Sequence, residues 1–153
     1  MKRKQGRAAS DRLLKLDKTF TPIPVDSGDE LFLNGIFEFN VTKMLAFIEA
    51  NPKEFPIKKA DVERLRSLLP ETLDEKTIQR ADISRPIILA EISPGSFNVI
   101  DGHHRVEKAV RQGLKTIAAR RIGAGQHLAF LTTTIAYEAY VDYWNSKLAE
   151  PVS

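Results

Sequence analysis

The chain has 153 residues, 42% of them hydrophobic, which provides for a real core and argues against wholesale disorder. It has no cysteine, which excludes a disulfide framework, a thiolate nucleophile and Cys-ligated zinc. The formal net charge of +3 is uneven: residues 1–18 hold seven Lys or Arg against two Asp, and the remainder holds 16 basic against 18 acidic residues. No apolar run approaches the roughly 18 residues of a membrane span, and the basic N-terminus lacks the apolar segment of a secretory signal. Cytoplasmic residence is the expectation.

In chain order, residues 1–18 read as a basic flexible arm, with a short helix open at DRLLKL. Its Lys2, Arg3, Lys4 and Arg7 are candidate contacts to nucleic-acid phosphates; the alternative is a solvated tail. TPIPVDSGDE, with two prolines, reads as extended or looped. LFLNGIFEFN predicts two short strands around an Asn-Gly turn. Val41–Ala50 has helical spacing and stops before Asn51-Pro52. KKADVERLRSLLPE predicts a second helix with Val62, Leu65, Leu68 and Leu69 on one face, ended by Pro70. DEKTIQRADIS is ambiguous, with a helical turn as one outcome. RPIILAEI predicts a buried strand, Ser93–Ser96 a turn, and FNVID its partner. His103–Gln112 is then a helix stopped by Gly113, KTIAARRI a strand, and Gln126–Lys147 a long helix. Tyr137, Tyr140, Val141, Trp144 and Leu148 form a stripe on that last helix, expected to be core, with a homodimer or protein-partner interface as the alternative. The expected class is mixed α/β: a domain over 19–125 with helices on a small sheet, and a C-terminal helix over 126–153 packed on it.

IDGHHRVEKAVRQG concentrates the chemistry. It places an Asp-Gly turn at the end of what reads as a central strand, followed by a helix whose first turn carries His103, His104 and Arg105. A helix N-terminus already presents unpaired N–H groups and a positive dipole end, so cations belong there if an anion joins them. Val106, Ala109 and Val110 form the sheet-facing side. Arg105, Lys108 and Arg111 would be fixed cations on the exposed side; His103 and Glu107, four apart, can meet. With Gly102 this describes a phosphate cradle; a solvated charged face is the alternative. A Mg²⁺ ion shared with phosphate oxygens and held by Glu107 or Asp101 is the more plausible metal, because two protein ligands make a weak site alone.

On RPIILAEI, FNVIDGHHRVEKAVRQG and KTIAARRI, from about Gly35 to Ile122, the chain resembles the ParB/sulfiredoxin-like superfamily. Gly102 matches the glycine of the family turn, His103 a Glu or Cys, His104 an Arg or His, and Arg105 the following Arg. The resemblance implies that this turn, with Lys108 and Arg111 assisting, holds the phosphates of a nucleoside triphosphate, ATP or CTP. The absence of cysteine removes sulfinic-acid reductase chemistry. The residues after Ile122 are too few for the DNA-binding and dimerisation domains of partition proteins. The stand-alone ParB-like group is therefore the expected relative, which includes plasmid proteins of conjugation control with DNase and ATPase activity.

Two functions follow as expectations. In the first the protein is a phosphoester hydrolase, a nuclease or NTPase. His103 would be general base or acid, Asp101 or Glu107 would orient it, His104 and Arg105 would stabilise phosphate charge, and Arg120 and Arg121 would hold DNA with little sequence preference. In the second, the same cradle is a nucleotide-gated DNA- or protein-binding module without turnover. A third, a ββα-metal nuclease site, suffers from the lack of an Asn on the helix.

Overall fold

The expected hairpin forms, but Gly35 and Ile36 reverse the chain, one residue later than the Asn-Gly turn read from sequence. Leu31–Asn34 (β1) and Phe37–Asn40 (β2) pair antiparallel, with Asn34 opposite Phe37. Gly35 takes the left-handed φ of 66° that such a tight turn requires. These features come from a computed structural model, which describes residues 12–150. The further elements are α1 (Val41–Ala50), β3 (Lys58–Asp61), α2 (Val62–Arg66), α3 (Glu75–Arg80), β4 (Ile87–Ser93), β5 (Ser96–Asp101), α4 (His103–Arg111), β6 (Thr116–Ile122), α5 (Ala124–His127), a 3-10 turn (Leu128–Phe130) and α6 (Thr134–Ala149). The class is mixed α/β, as expected.

The chain divides into two compact units. The unit of Leu45–Glu91 and Phe97–Gly123 holds a sheet ordered β3-β6-β4-β5. β4 runs parallel to β6, and β3 antiparallel to it. Every residue of β4 from Ile87 to Ile92 is buried, Glu91 included, which the apolar run Ile87–Ala90 anticipates for an inner strand. Val106 and Ala109 of α4 are fully buried in one cluster with Ile87, Leu89, Val99 and Ile117. β5 is an edge strand rather than a central one, so the Asp-Gly turn opens at the sheet's margin.

One expected helix begins as a strand. Lys58–Asp61 pairs with β6, and helix follows only over Val62–Arg66. Asp61 caps it by accepting from the Glu63 N–H at 3.0 Å, and the Val62 N–H donates to the Lys115 carbonyl at 3.0 Å. Pairing with a strand some 55 residues away outweighs local helical spacing, which is a weak prior. The ambiguous stretch becomes α3, capped by Asp74, whose carboxylate accepts from the Thr77 N–H and hydroxyl at 2.9 and 2.6 Å.

The other unit comprises the residues through Met44, Ile92–Ser96 and those from Ala124 onward. The expected long terminal helix is interrupted: the chain leaves the 3-10 turn, bridges Phe39 to Leu131, and restarts at Thr134. Thr133 causes the restart, its hydroxyl accepting from the Ala136 N–H at 3.0 Å. Tyr137, Tyr140, Val141 and Trp144 are buried, with Tyr140 donating to the Ile92 carbonyl at 2.7 Å. Of the expected arm, residues 1–11, with Lys2, Arg3, Lys4 and Arg7, lie outside the described residues. Arg12–Lys18 forms no helix at DRLLKL; it runs along α6, where Asn145 bonds the backbone of Leu14.

Trp144→Ala should cost about 3–5 kcal/mol through the cavity it leaves. Thr133→Ala should cost about 1 kcal/mol through the lost cap. Urea denaturation of the two variants checks the order and the difference.

Candidate functional site

β5 delivers Asp101 to the turn and α4 begins two residues later, with Gly102 between them at φ 109° and ψ 22°. A side chain is excluded there twice. The conformation is left-handed, and a Cβ would stand 2.5 Å from Ile87 Cγ2. The same Cβ would lie 3.1 Å from Arg105 Nη2, so the glycine also makes room for that guanidinium.

Arg105 is buried at 8% exposure and its donors are matched inside the protein. Nη2 meets Asp101 Oδ2 at 2.6 Å, while Nη1 donates to the carbonyls of Pro86 at 2.9 Å and Arg85 at 3.3 Å. The expected exposed cation is thus the interior half of an ion pair. Lys108 and Arg111 are engaged as well. Lys108 Nζ donates to the carbonyls of Gln79 and Ala81, both at 2.8 Å, at the C-terminal end of α3. Arg111 bridges Glu75 at 2.6 Å and Glu107 at 3.1 Å. The bonds from Arg111 and Gln79 hold the Glu75 carboxyl below its usual range. Glu107, expected to meet His103, has its carboxylate on Arg111. His104 Nε2 accepts from the Asp74 N–H at 3.3 Å, which requires a lone pair on that nitrogen.

His103 is partly buried, and burial pushes its imidazole below the usual 6.5. The Asp101 charge opposes that shift and His104 adds to it. The imidazole is therefore neutral at neutral pH and suited to accept a proton rather than to hold an anion by charge.

A cleft of about 350 Å³ opens beside the turn. Asp101, Gly102, His104 and Arg105 line one side; Thr77, Arg80, Asp82 and Arg85 come from α3 and the loop before β4. Four of the expected site residues are brought together there, whereas His103, Glu107, Lys108 and Arg111 are not among its lining residues. Arg80 and Arg85 were not singled out from sequence. Arg85 heads the RPIILAEI strand motif, and that position before a buried strand was the available signal. The guanidinium of Arg85 is mostly exposed and only loosely paired with Glu49, at 3.9 Å.

Arg120 and Arg121 do not form a joint phosphate-binding surface. Arg120 donates to the Phe55 carbonyl and lines a separate cavity of about 100 Å³, while the Arg121 guanidinium lies 5.9 Å over the Phe97 ring. Neighbours on a strand point to opposite faces, which is why the pair splits. For the expected Mg²⁺, Asp101 and Glu107 are each turned to an arginine, and no cluster of three His, Asp or Glu able to hold a metal occurs among the described residues.

Residues 44–131, more than half the chain, match the ParB N-terminal domain. The chain belongs to the ParB N-terminal domain family. Domains of this ParB family generally bind DNA and nucleotide. Comparison with curated proteins and with solved structures finds no match. The ParB match covers the four-stranded sheet, the Gly102 turn and the cleft, and runs to Leu131. No described helix is long and apolar enough to cross a membrane.

Two outcomes follow from this geometry. Arg105→Ala should lower stability by about 3 kcal/mol, because Asp101 and two carbonyls lose their partner in a buried setting; chemical denaturation measures it. The depressed His103 pKa means that the unfolded chain binds more protons than the folded one as pH falls through 6.5. Stability should therefore fall from about pH 7 toward 5, and His103→Gln should flatten that part of a melting-temperature profile.

Proposed function

We propose that this ParB-like domain binds a nucleoside triphosphate, ATP or CTP, in the cleft beside Gly102, and engages DNA phosphates as a nucleotide-gated module. The observation that carries this reading is the cleft itself. Two guanidinium groups, Arg80 and Arg85, face the backbone of a glycine turn at the start of a nine-residue helix that no side chain caps. Its volume of about 350 Å³ lies within the usual size range of small-molecule sites. Phosphate oxygens would meet Arg80, Arg85 and the helix dipole, while Thr77 offers a hydroxyl. Asp101 and Arg105 neutralise each other and act as scaffold. The basic N-terminal residues supply the sequence-independent DNA term, which weakens steeply with salt.

A hydrolytic reading, NTPase or nuclease, has one supporting observation: His103, held neutral beside the Asp101 charge, has the protonation state of a general base. Its place outside the cleft lining weighs against this. A part in plasmid transfer rests on the family resemblance alone.

Titration with fluorescent ATP and CTP, with and without Mg²⁺, tests the site. Micromolar or weaker binding is expected, reduced about tenfold or more in Arg80→Ala/Arg85→Ala through two lost charge-assisted contacts; unchanged affinity overturns the cleft. Phosphate release or plasmid nicking that disappears in His103→Ala would establish turnover, and binding without product would establish the module.

A further inference from the structure

The segment Arg12–Phe20 has no helix or strand, yet it is held at several points on α6. Asn145 bonds both backbone groups of one residue: Oδ1 accepts from the Leu14 N–H and Nδ2 donates to the Leu14 carbonyl, each at 2.9 Å. Trp144 Nε1 donates to the Arg12 carbonyl at 2.8 Å, and the Tyr137 hydroxyl accepts from the Asp17 N–H at 2.7 Å. Two contacts read side chains. The Arg12 guanidinium lies 4.9 Å over the Trp144 ring, and Phe20 stacks on Tyr137 with centroids 3.9 Å apart. Leu13 and Leu16 stay about half exposed, at 50% and 47%. The segment thus gains little from burial of its own leucines. Side chains of α6 hold its backbone in the place of a neighbouring strand, which is how extended peptides are bound.

We propose that the Tyr137–Trp144–Asn145 face of α6 is an extended-peptide-binding site, filled in cis by Arg12–Phe20, and that its trans occupant is the same segment of a second copy of this chain. The sequence-reading contacts, Arg12 on Trp144 and Phe20 on Tyr137, fit this segment in particular. Thr21-Pro22 follows it as a short stiff tether, anchored beyond by the Ile23 N–H on the Leu131 carbonyl and by the Pro24 carbonyl, which accepts from Asn40 and Lys43. An arm on such a tether passes to a neighbour with every contact kept, the usual route of segment exchange.

Trp144 is the only tryptophan, so its emission reports the arm directly. In the full chain with Leu14→Pro, Asn145 loses the N–H it accepts while α6 is unchanged. Red-shifted emission and faster tryptic cleavage after Lys15 and Lys18 are expected, with the far-UV circular dichroism preserved. A peptide spanning Arg12–Phe20 should return the emission to the wild-type position, and the same peptide with Leu14→Pro should not. No recovery with the wild-type peptide overturns the site; equal recovery with a scrambled peptide overturns the assignment of the second copy. Should the variant not fold, hydrogen exchange on the wild-type chain decides. Amides of Leu14 and Asp17 exchanging about tenfold or more faster than that of Tyr140 show a releasable arm, and exchange in step with α6 overturns it.

Discussion

The buried pair of Arg105 with Asp101 is the interaction on which the turn region depends. A guanidinium at 8% exposure is tolerable only if its donors are matched, and Asp101 with the carbonyls of Arg85 and Pro86 matches them. Those partners come from the end of β5 and the approach to β4, so one side chain fastens the entry of one strand to the exit of the next. Gly102 belongs to the same requirement. A Cβ at that position would collide with Ile87 and crowd Arg105 Nη2, so the glycine serves internal packing before it serves any ligand.

The other polar side chains of α4 are also engaged within the protein, Arg111 at its surface. Lys108 caps the C-terminal carbonyls of α3, where a positive charge suits the helix dipole. Arg111 reaches Glu75 in its first turn, and His104 receives the N–H of its capping residue. α3 is six residues long and buries one apolar side chain, Ile78, so these polar ties are what dock it. α4 supplies the glycine turn and the anchoring charges, whereas Arg80 and Arg85, the latter only loosely paired with Glu49, line the cleft from α3 and the loop after it.

Sequence was informative wherever the determining contact is local. The hairpin at Gly35, the Val106 and Ala109 face, the glycine turn before α4 and its stop at Gly113 all rest on residues within a few positions of one another. Its misses have non-local causes. Lys58–Asp61 is a strand because β6 offers an edge, and nothing within KKADVERL records that edge. Arg105 looks like a surface cation because a charge on a helix normally is one; the matching carbonyls lie about 20 residues upstream. The break before α6 is a partial exception. Thr132-Thr133-Thr134 interrupts the helical run, and a threonine followed three residues later by an unpaired N–H is a cap signal.

The position of His103 bears on the proposed choice between holding a phosphate and cleaving one. At the first turn of α4 both burial and the helix dipole oppose its protonation, and the carboxylate that would favour it, Asp101, already pairs with Arg105. An imidazole so placed is neutral, adds little to the positive potential of the cleft, and is not part of its wall. In the proposed phosphate site, attraction of an anion would fall to Arg80 and Arg85, while His103 lies outside the cleft lining and the imidazole in its wall is that of His104. The proposed reading of binding rather than turnover rests on those two arginines and on the place of His103 outside the wall.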